Sequence, residues 1–247
     1  MGDDSDIPMR PAHILPVLVP LLAGTILLAA AAPATPAEIG AIMMGGAAFF
    51  NSNDVDRVAE ELNFHSLSPG LDGGVFLEIG SPRRGLSALT GVGVFWSRRR
   101  HPEDFSSDGG AVTRRDGAFR LTSIGLPVTL VYSIPRGRGR FYAGGGVGYY
   151  AATVTAEADL TGSNWFPSDG SASDGSRSAD GPGLHLLVGY EHPTSIGGIG
   201  AGVLLRHARF TTDAARGAAD FDVDLSGVSL FVSLSINPTK SGSSEAP

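Results

Sequence analysis

From Glu38 onward, apolar residues recur at every second position, in runs broken by stretches rich in Gly, Pro, Ser and Asp. The clearest run is Ile124 to Ile134. Ile124, Leu126, Val128, Leu130, Tyr132 and Ile134 fall on one parity, and Gly125, Pro127, Thr129, Val131 and Ser133 on the other. Successive side chains of a strand point to opposite faces, so alternation of this kind predicts a β-strand with two unlike faces. The last run sets Val228, Leu230, Val232, Leu234 and Ile236 against Ser229, Phe231, Ser233 and Ser235. Comparable runs cover Leu71–Ile79, Leu86–Ser97, Leu184–Glu191 and Ile199–Arg206. The first strand, about Ile39 to Phe50, is apolar or small on both faces.

The stretch Phe141–Tyr150, FYAGGGVGYY, belongs to the same set. Gly144, Gly146 and Gly148 share one parity; Phe141, Ala143, Val147 and Tyr149 share the other with Gly145. A dinucleotide fingerprint needs G-x-G-x-x-G opening a helix, and a phosphate loop needs G-K-[ST]; neither is present. Glycine at period two instead thins one face of a strand, and the expectation is that bulky side chains from across a narrow lumen use the room.

In a soluble sandwich the second face meets water and is polar. Here it carries Gly, Ser, Thr and Ala with isolated charges, and the charges Glu78, Glu191 and Arg206 all lie on it. The apolar parity is free of charge until His207 and Arg209, at one strand's end. An Arg or Lys facing lipid costs roughly 2 to 4 kcal/mol at the bilayer midplane. Apolar faces outward and small or polar faces inward therefore predict a membrane-spanning barrel.

The breaks between runs alternate in length. Long ones span about 51–68, 98–116 and 157–182, with a medium one at 211–222; short ones span 81–85, 135–140 and 192–198. The NDVDRVAEEL segment in the first long break predicts a helical turn or two. The architecture expected is all-β: an eight-stranded antiparallel, transmembrane, up-and-down barrel with short periplasmic turns and long extracellular loops.

Composition agrees. The 247-residue chain has 35 glycines, 17% charged residues and net charge −7, against roughly 7% glycine and about 25% charge in soluble domains. It offers no basic excess for nucleic acid. Cysteine is absent, which removes thiolate catalysis, cysteine metal sites and disulfides. At the N-terminus, Met9-Arg10, the apolar run Ile14–Ala32 and the segment PATPA read as an export signal over residues 1–37, cleaved after Ala34 or Ala37, with Met9 as the expected true start. A retained apolar anchor is the competing reading. The barrel domain is expected over residues 38–238 and a tail over 239–247.

With IGLPVTLVYSIP, FYAGGGVGYY and the closing LSGVSLFVSLSIN on view, the chain resembles the small eight-stranded outer-membrane barrel proteins of the OmpA-barrel, OmpX and opacity type, often grouped as porin-family β-barrel domains. The resemblance implies export to a bacterial outer membrane, contact with its lipid and lipopolysaccharide, and assembly by the barrel machinery. It implies a structural or surface-interaction role, with a narrow passive pore and an outer-leaflet lipid-modifying enzyme as alternatives. The chain departs from that group in ending its last strand on Ile236 rather than a terminal aromatic residue.

An eight-stranded barrel leaves an interior that side chains fill. Glu78, Glu191, Arg206, His185 and Arg120 are therefore expected to form an internal polar plug, since buried charges must be paired. Arg98, Arg99 and Arg100, with Arg114 and Arg115, flank the second long loop and are candidate contacts for lipopolysaccharide phosphates. Glu191, His192 and Ser195 supply the residue types of a nucleophile and base, but within a tight turn on the periplasmic side; Phe64-His65-Ser66 lies on the outer side without an orienting partner. No enzymatic role is expected. Ser168–Gly183, rich in Ser, Asp and Gly, lacks the EF-hand order of ligands and reads as a surface loop. No metal or other cofactor is expected.

Overall fold

The computed structural model describes residues 38–51, 53–62, 64, 66–80, 85–100, 117–157, 174–195, 197–212 and 219–236, the side chains of Arg100 and Asp174 excepted. The expected export signal and C-terminal tail lie outside these residues, as do Arg114, Arg115 and His65.

Eight strands close on themselves: β1 (Glu38–Phe50), β2 (Gly70–Gly80), β3 (Gly85–Arg100), β4 (Ala118–Arg136), β5 (Gly139–Glu157), β6 (Asp174–Pro193), β7 (Gly197–His207) and β10 (Gly227–Ile236). Each pairs antiparallel with its chain neighbours, and β1 pairs with β10 to complete the ring. Around the closed ring every wall strand has a partner on each side. Helix α1 (Asn53–Glu61) lies between β1 and β2, and a small hairpin of β8 (Arg209–Thr211) and β9 (Asp222–Asp224) lies between β7 and β10.

The expected inside/outside parity is the one observed. Ile124, Leu130, Tyr132 and Ile134 are exposed on β4, whereas Ser123, Thr129, Val131 and Ser133 are buried. Exposed apolar residues run along the outer parity of all eight wall strands, among them Met43 on β1, Val75 on β2, Val92 on β3, Val147 on β5, Leu186 on β6, Ile199 on β7 and Val232 on β10. On β4 this outer run extends from Ile124 to Ile134, the span a tilted strand of about 9 to 11 residues needs to cross a hydrocarbon core. The ladder between β3 and β4 lacks pairing only where Gly91 and Val92 stand opposite Pro127 and Leu126. Proline has no N–H to donate there.

Two expectations about loops need correction. The segment 157–182, read as one loop, is strand at both ends: β5 continues to Glu157 and β6 begins at Asp174. Ser, Asp and Gly are poor strand formers alone, but here each is held in register by β5, as in Val154↔Arg177 and Ala156↔Gly175. Likewise Arg140, assigned to the tight turn 135–140, is already a wall residue of β5, because the turn needs only Gly137 and Arg138. Gly137 takes a positive φ of 61°, which a residue without Cβ adopts at no steric cost.

The period-two glycines make room, though for neighbours on adjacent strands rather than for side chains across the lumen. Tyr150 stands directly opposite Gly125, Tyr142 opposite Gly189, Phe231 opposite Gly202 and Phe76 opposite Gly91. A Cβ on Gly125 would lie 2.6 Å from the Tyr150 ring, and one on Gly202 2.6 Å from that of Phe231. Each of these four rings thus lies over a glycine of the next strand, covering its bare backbone. Gly146 serves a different neighbour: a Cβ there would lie 2.8 Å from His185 Nε2.

Candidate functional site in the lumen and at the outer rim

The inward side chains sort into layers. Nearest the tight turns, Arg140 on β5 meets two carboxylates. Its Nη1 and Nη2 donate to Glu78 Oε1 and Oε2, each at 3.0 Å, and Nη2 also donates to Glu191 Oε2 at 3.2 Å. Ser87 donates to Glu78 Oε1 at 2.8 Å, and Ser133 Oγ accepts from Arg140 at 3.3 Å. The Arg140 guanidinium also stands 5.7 Å from the centroid of the Tyr142 ring. Glu78 is 3% exposed and Arg140 8%. A bidentate guanidinium–carboxylate pair with further hydrogen bonds is the arrangement that makes such burial tolerable.

Above this lies an apolar layer of Ile42, Leu89, Val131, Tyr142, Leu187 and Phe231, with Met44, Phe76 and Leu204 against it. The next polar layer follows. Arg206 on β7 pairs with Asp72 on β2, and Ser229 donates to the same carboxylate at 2.7 Å. The Arg206 guanidinium stands 5.5 Å from the centroid of the Tyr150 ring and 5.9 Å from that of Phe95. His185 Nε2 lies 2.6 Å from Thr129 Oγ1, and its Nδ1 lies 3.4 Å from the Tyr150 hydroxyl. A cavity of about 60 Å³ sits beside these groups, lined chiefly by Phe76, Phe95, Leu204 and Tyr150 with Arg206 and His185 at its polar side.

At the long-loop end the inner faces of β3 to β6 carry a second apolar core. Phe95, Phe119, Leu121, Tyr150, Val154 and Ala179 pack with Val55, Val58 and Ala59 of α1 and with Phe210, Phe221 and Val223 around the β8–β9 hairpin. Val55, Val58 and Ala59 recur at helical spacing, so α1 buries one stripe. Asp56 holds the chain after the helix, accepting from Ser66 Oγ and Leu67 N at 2.8 Å each. Arg177 on β6 is buried beneath the hairpin and donates to Thr212 Oγ1 at 2.9 Å, Asp220 Oδ1 at 3.0 Å and the Ala219 carbonyl at 3.1 Å. Outside, Arg209 donates to Asp222 at 2.9 Å, as does the Thr211 hydroxyl at 2.7 Å, and Arg209 lies 3.7 Å from Asp54 of α1. The Thr211 hydrogen bond first, and that of Arg209 next, hold the Asp222 carboxyl below its ordinary pKa.

Of the residues expected inside, the structure brings Glu78 and Glu191 together, places Arg206 and His185 around the cavity, and leaves Arg120 elsewhere. Arg120 lies on the outer parity of β4 with Thr122 and Ile124, and pairs with Glu157 at 2.5 Å, both side chains about a third exposed. Of the buried cations missed in the sequence, Arg177 fell in the segment read as a loop, and Arg140 stands in the wall near the turns. Two signals pointed to Arg140: its parity matches Tyr142 and Gly144, and two inward carboxylates near one end require a cation. Asp72, whose inward parity is plain, gains its meaning only from Arg206 across the ring.

Among the expected phosphate contacts, Arg99 is occupied. It lies on the inner parity of β3 and donates to the carbonyls of Ser66, Ser68 and Pro69 at 2.7, 3.1 and 3.3 Å. Arg98 is on the outer parity, directly opposite Arg120. Glu191 and His192 do not converge: Glu191 faces Arg140, while His192 is exposed on the opposite side of β6. Among the described residues no group of three or more His, Cys, Asp or Glu is placed to hold a metal ion.

No family model and no curated protein matches the chain. Among solved structures it is similar to the crystal structure of Neisserial surface protein A (NspA), with 14% sequence identity, a TM-score of 0.42, and coverage of 82% of this chain and 99% of that one. From its own strand pairing, independently of that likeness, the chain is an eight-stranded antiparallel up-and-down β-barrel.

Proposed function

We propose that the protein is a bacterial outer-membrane barrel with a structural or surface-interaction role, its lumen plugged and its capped outer end presented to the exterior. The observation that carries this reading is the outer wall. Apolar side chains are exposed along the outer parity of all eight wall strands, and the charges on those strands lie inside or beyond the apolar run. Contiguous exposed apolar surface of this kind marks contact with a membrane. Rim aromatics support it: Trp96 closes the apolar run of β3 at the long-loop end, and Tyr132, Phe141 and Tyr190 cluster at the turn end.

The plugged lumen supports a structural role over a pore. A conducting path would have to cross the Arg140 cluster, the apolar layer around Leu89 and Leu187, and the cap over Phe95. The test is a semi-native gel of the outer-membrane fraction with and without boiling, together with conductance in planar bilayers. A band that shifts on heating and a silent bilayer are the expected results. No shifted band would overturn the membrane reading, and steady conductance would replace the plugged barrel with a pore.

A further inference from the structure

Beyond the apolar run, the outer face of β3 to β6 changes character. Two rows of side chains cross the four strands in register. One is Arg98, Arg120, Thr155 and Ser176; the next is Trp96, Thr122, Thr153 and Ser178. All eight lie on the outer parity, at or beyond the end of the apolar run, with Trp96 marking the boundary. The second row is linked across strands, with Thr153 Oγ1 3.4 Å from Ser178 Oγ.

Arg98 and Arg120 stand directly opposite one another. Like charges directly across a sheet destabilise it, so this pairing asks for an anion between or beside the guanidiniums. Two carboxylates with described side chains lie on this face: Glu157 pairs with Arg120, and Asp180, next to Ser178 on the outer parity of β6, accepts from the Tyr149 hydroxyl. Arg98 takes no side-chain hydrogen bond or ion pair from the described residues, and its Nε, like that of Arg120, is shielded from solvent without an acceptor. A face carrying one satisfied arginine, one unsatisfied arginine and a field of hydroxyls complements a phosphate borne on a sugar. Arg supplies the fork geometry that phosphate oxygens match, and Thr and Ser supply donors and acceptors for saccharide hydroxyls.

We propose that this face binds the phosphorylated saccharide head of an outer-leaflet glycolipid, whose acyl chains lie along Trp96, Val94 and Ile124 below. The proposal rests on the outer-membrane reading above. It also reassigns the phosphate contacts read from the sequence: Arg99 is turned to loop carbonyls, and Arg120, expected inside, takes its place beside Arg98. Continuity with the apolar run favours a lipid-borne head over a free polyanion, because a free sugar phosphate would gain nothing from the surface beneath.

The test uses the full chain refolded into phosphatidylcholine vesicles containing bis-phosphorylated lipid A, its dephosphorylated form, or neither. Glycolipid retained per barrel after mild detergent extraction is read by native mass spectrometry. Selective retention of the phosphorylated form is expected, weakening with salt and reduced roughly tenfold in R98Q/R120Q, the loss of charge-assisted hydrogen bonds. R209Q, on the cap, is expected to retain it as wild type does. Equal retention of both lipid forms, or salt-independent retention by the wild type, overturns the proposal whether or not the double variant folds. Equal binding of a soluble phosphorylated oligosaccharide also overturns it, in favour of a free polyanion. A heat-shifted wild-type barrel without selective retention sinks this inference alone; absence of any inserted barrel sinks the membrane reading beneath it.

Discussion

The two ends of this barrel are closed by opposite chemistry. At the turn end, where the connecting segments are short, wall side chains must fill the lumen themselves, and they do so with Arg140 held between Glu78 and Glu191. At the other end the wall is taller on one side: β4, β5 and β6 have 19, 19 and 20 residues, against 11 for β7 and 10 for β10. Helix α1 and the β8–β9 hairpin pack against that tall side around an apolar core. The difference follows from where water is. On the proposed membrane reading, the extension beyond the apolar run stands in water and folds as an aqueous domain does, by burying apolar faces. Within the ring the outer parity is claimed by the apolar wall, so specificity inside falls to paired charges and to rings laid over glycines.

The sharpest way to break this comparison is to reverse a wall face. Val128→Arg is expected to abolish heat-shifted barrel, since a lipid-facing arginine costs roughly 2 to 4 kcal/mol at the midplane. Thr129→Ser, one residue along and inward, keeps a hydroxyl for His185 and is expected to assemble normally. Normal assembly of the arginine variant would invert the inside/outside assignment. Of similar size is Arg140→Ala, which strands the buried Glu78 and half-buried Glu191 carboxylates and is expected to cost about 3 to 5 kcal/mol, read as a lower urea midpoint for unfolding from micelles. Adding Glu78→Gln and Glu191→Gln to that variant is expected to restore part of the loss; no recovery would mean that packing, and not charge, closes this end.

Val58→Ala should separate the two ends. Removing two methyl groups at a fully buried cap position is expected to cost about 1 to 2 kcal/mol. The expected signature is faster proteolysis at the outer end with the heat shift of the barrel unchanged. Loss of both together would show that the cap and ring fold as one unit. The smallest effect is a pH dependence of the β8–β9 hairpin. The Asp222 carboxyl is held below its ordinary pKa by Thr211 and Arg209, so its contribution is full above the ordinary carboxylate value and is lost as pH falls through the depressed one. Hydrogen exchange at Phe221 and Val223 is expected to quicken over that acidic window in the wild type, and to show no such step in Asp222→Asn.

Much of the barrel was legible because parity is local. A strand places alternate side chains on opposite faces whatever its partners are, so Ile124–Ile134 announces both its secondary structure and its two environments. The same parity located Glu78, Glu191 and Arg206 on the inner face. It misled only where residue type was read ahead of parity: Arg120 shares its face with Thr122 and Ile124 and belongs outside.

The sequence by itself determined that there would be eight antiparallel wall strands, which face of each is apolar, and that the connections alternate between short and long. Tertiary structure alone decided which inner groups meet. Arg140 finds Glu78 at 62 residues' separation, and Ser229 reaches Asp72 at 157. It also decided where strands end, since Asp174–Gly183 is strand only because β5 offers it an unpaired edge. It set each ring over its glycine through cross-strand register. Alternation is a property of one strand's backbone, whereas register, stagger and closure belong to the whole ring and exist only once the first and last strands have paired.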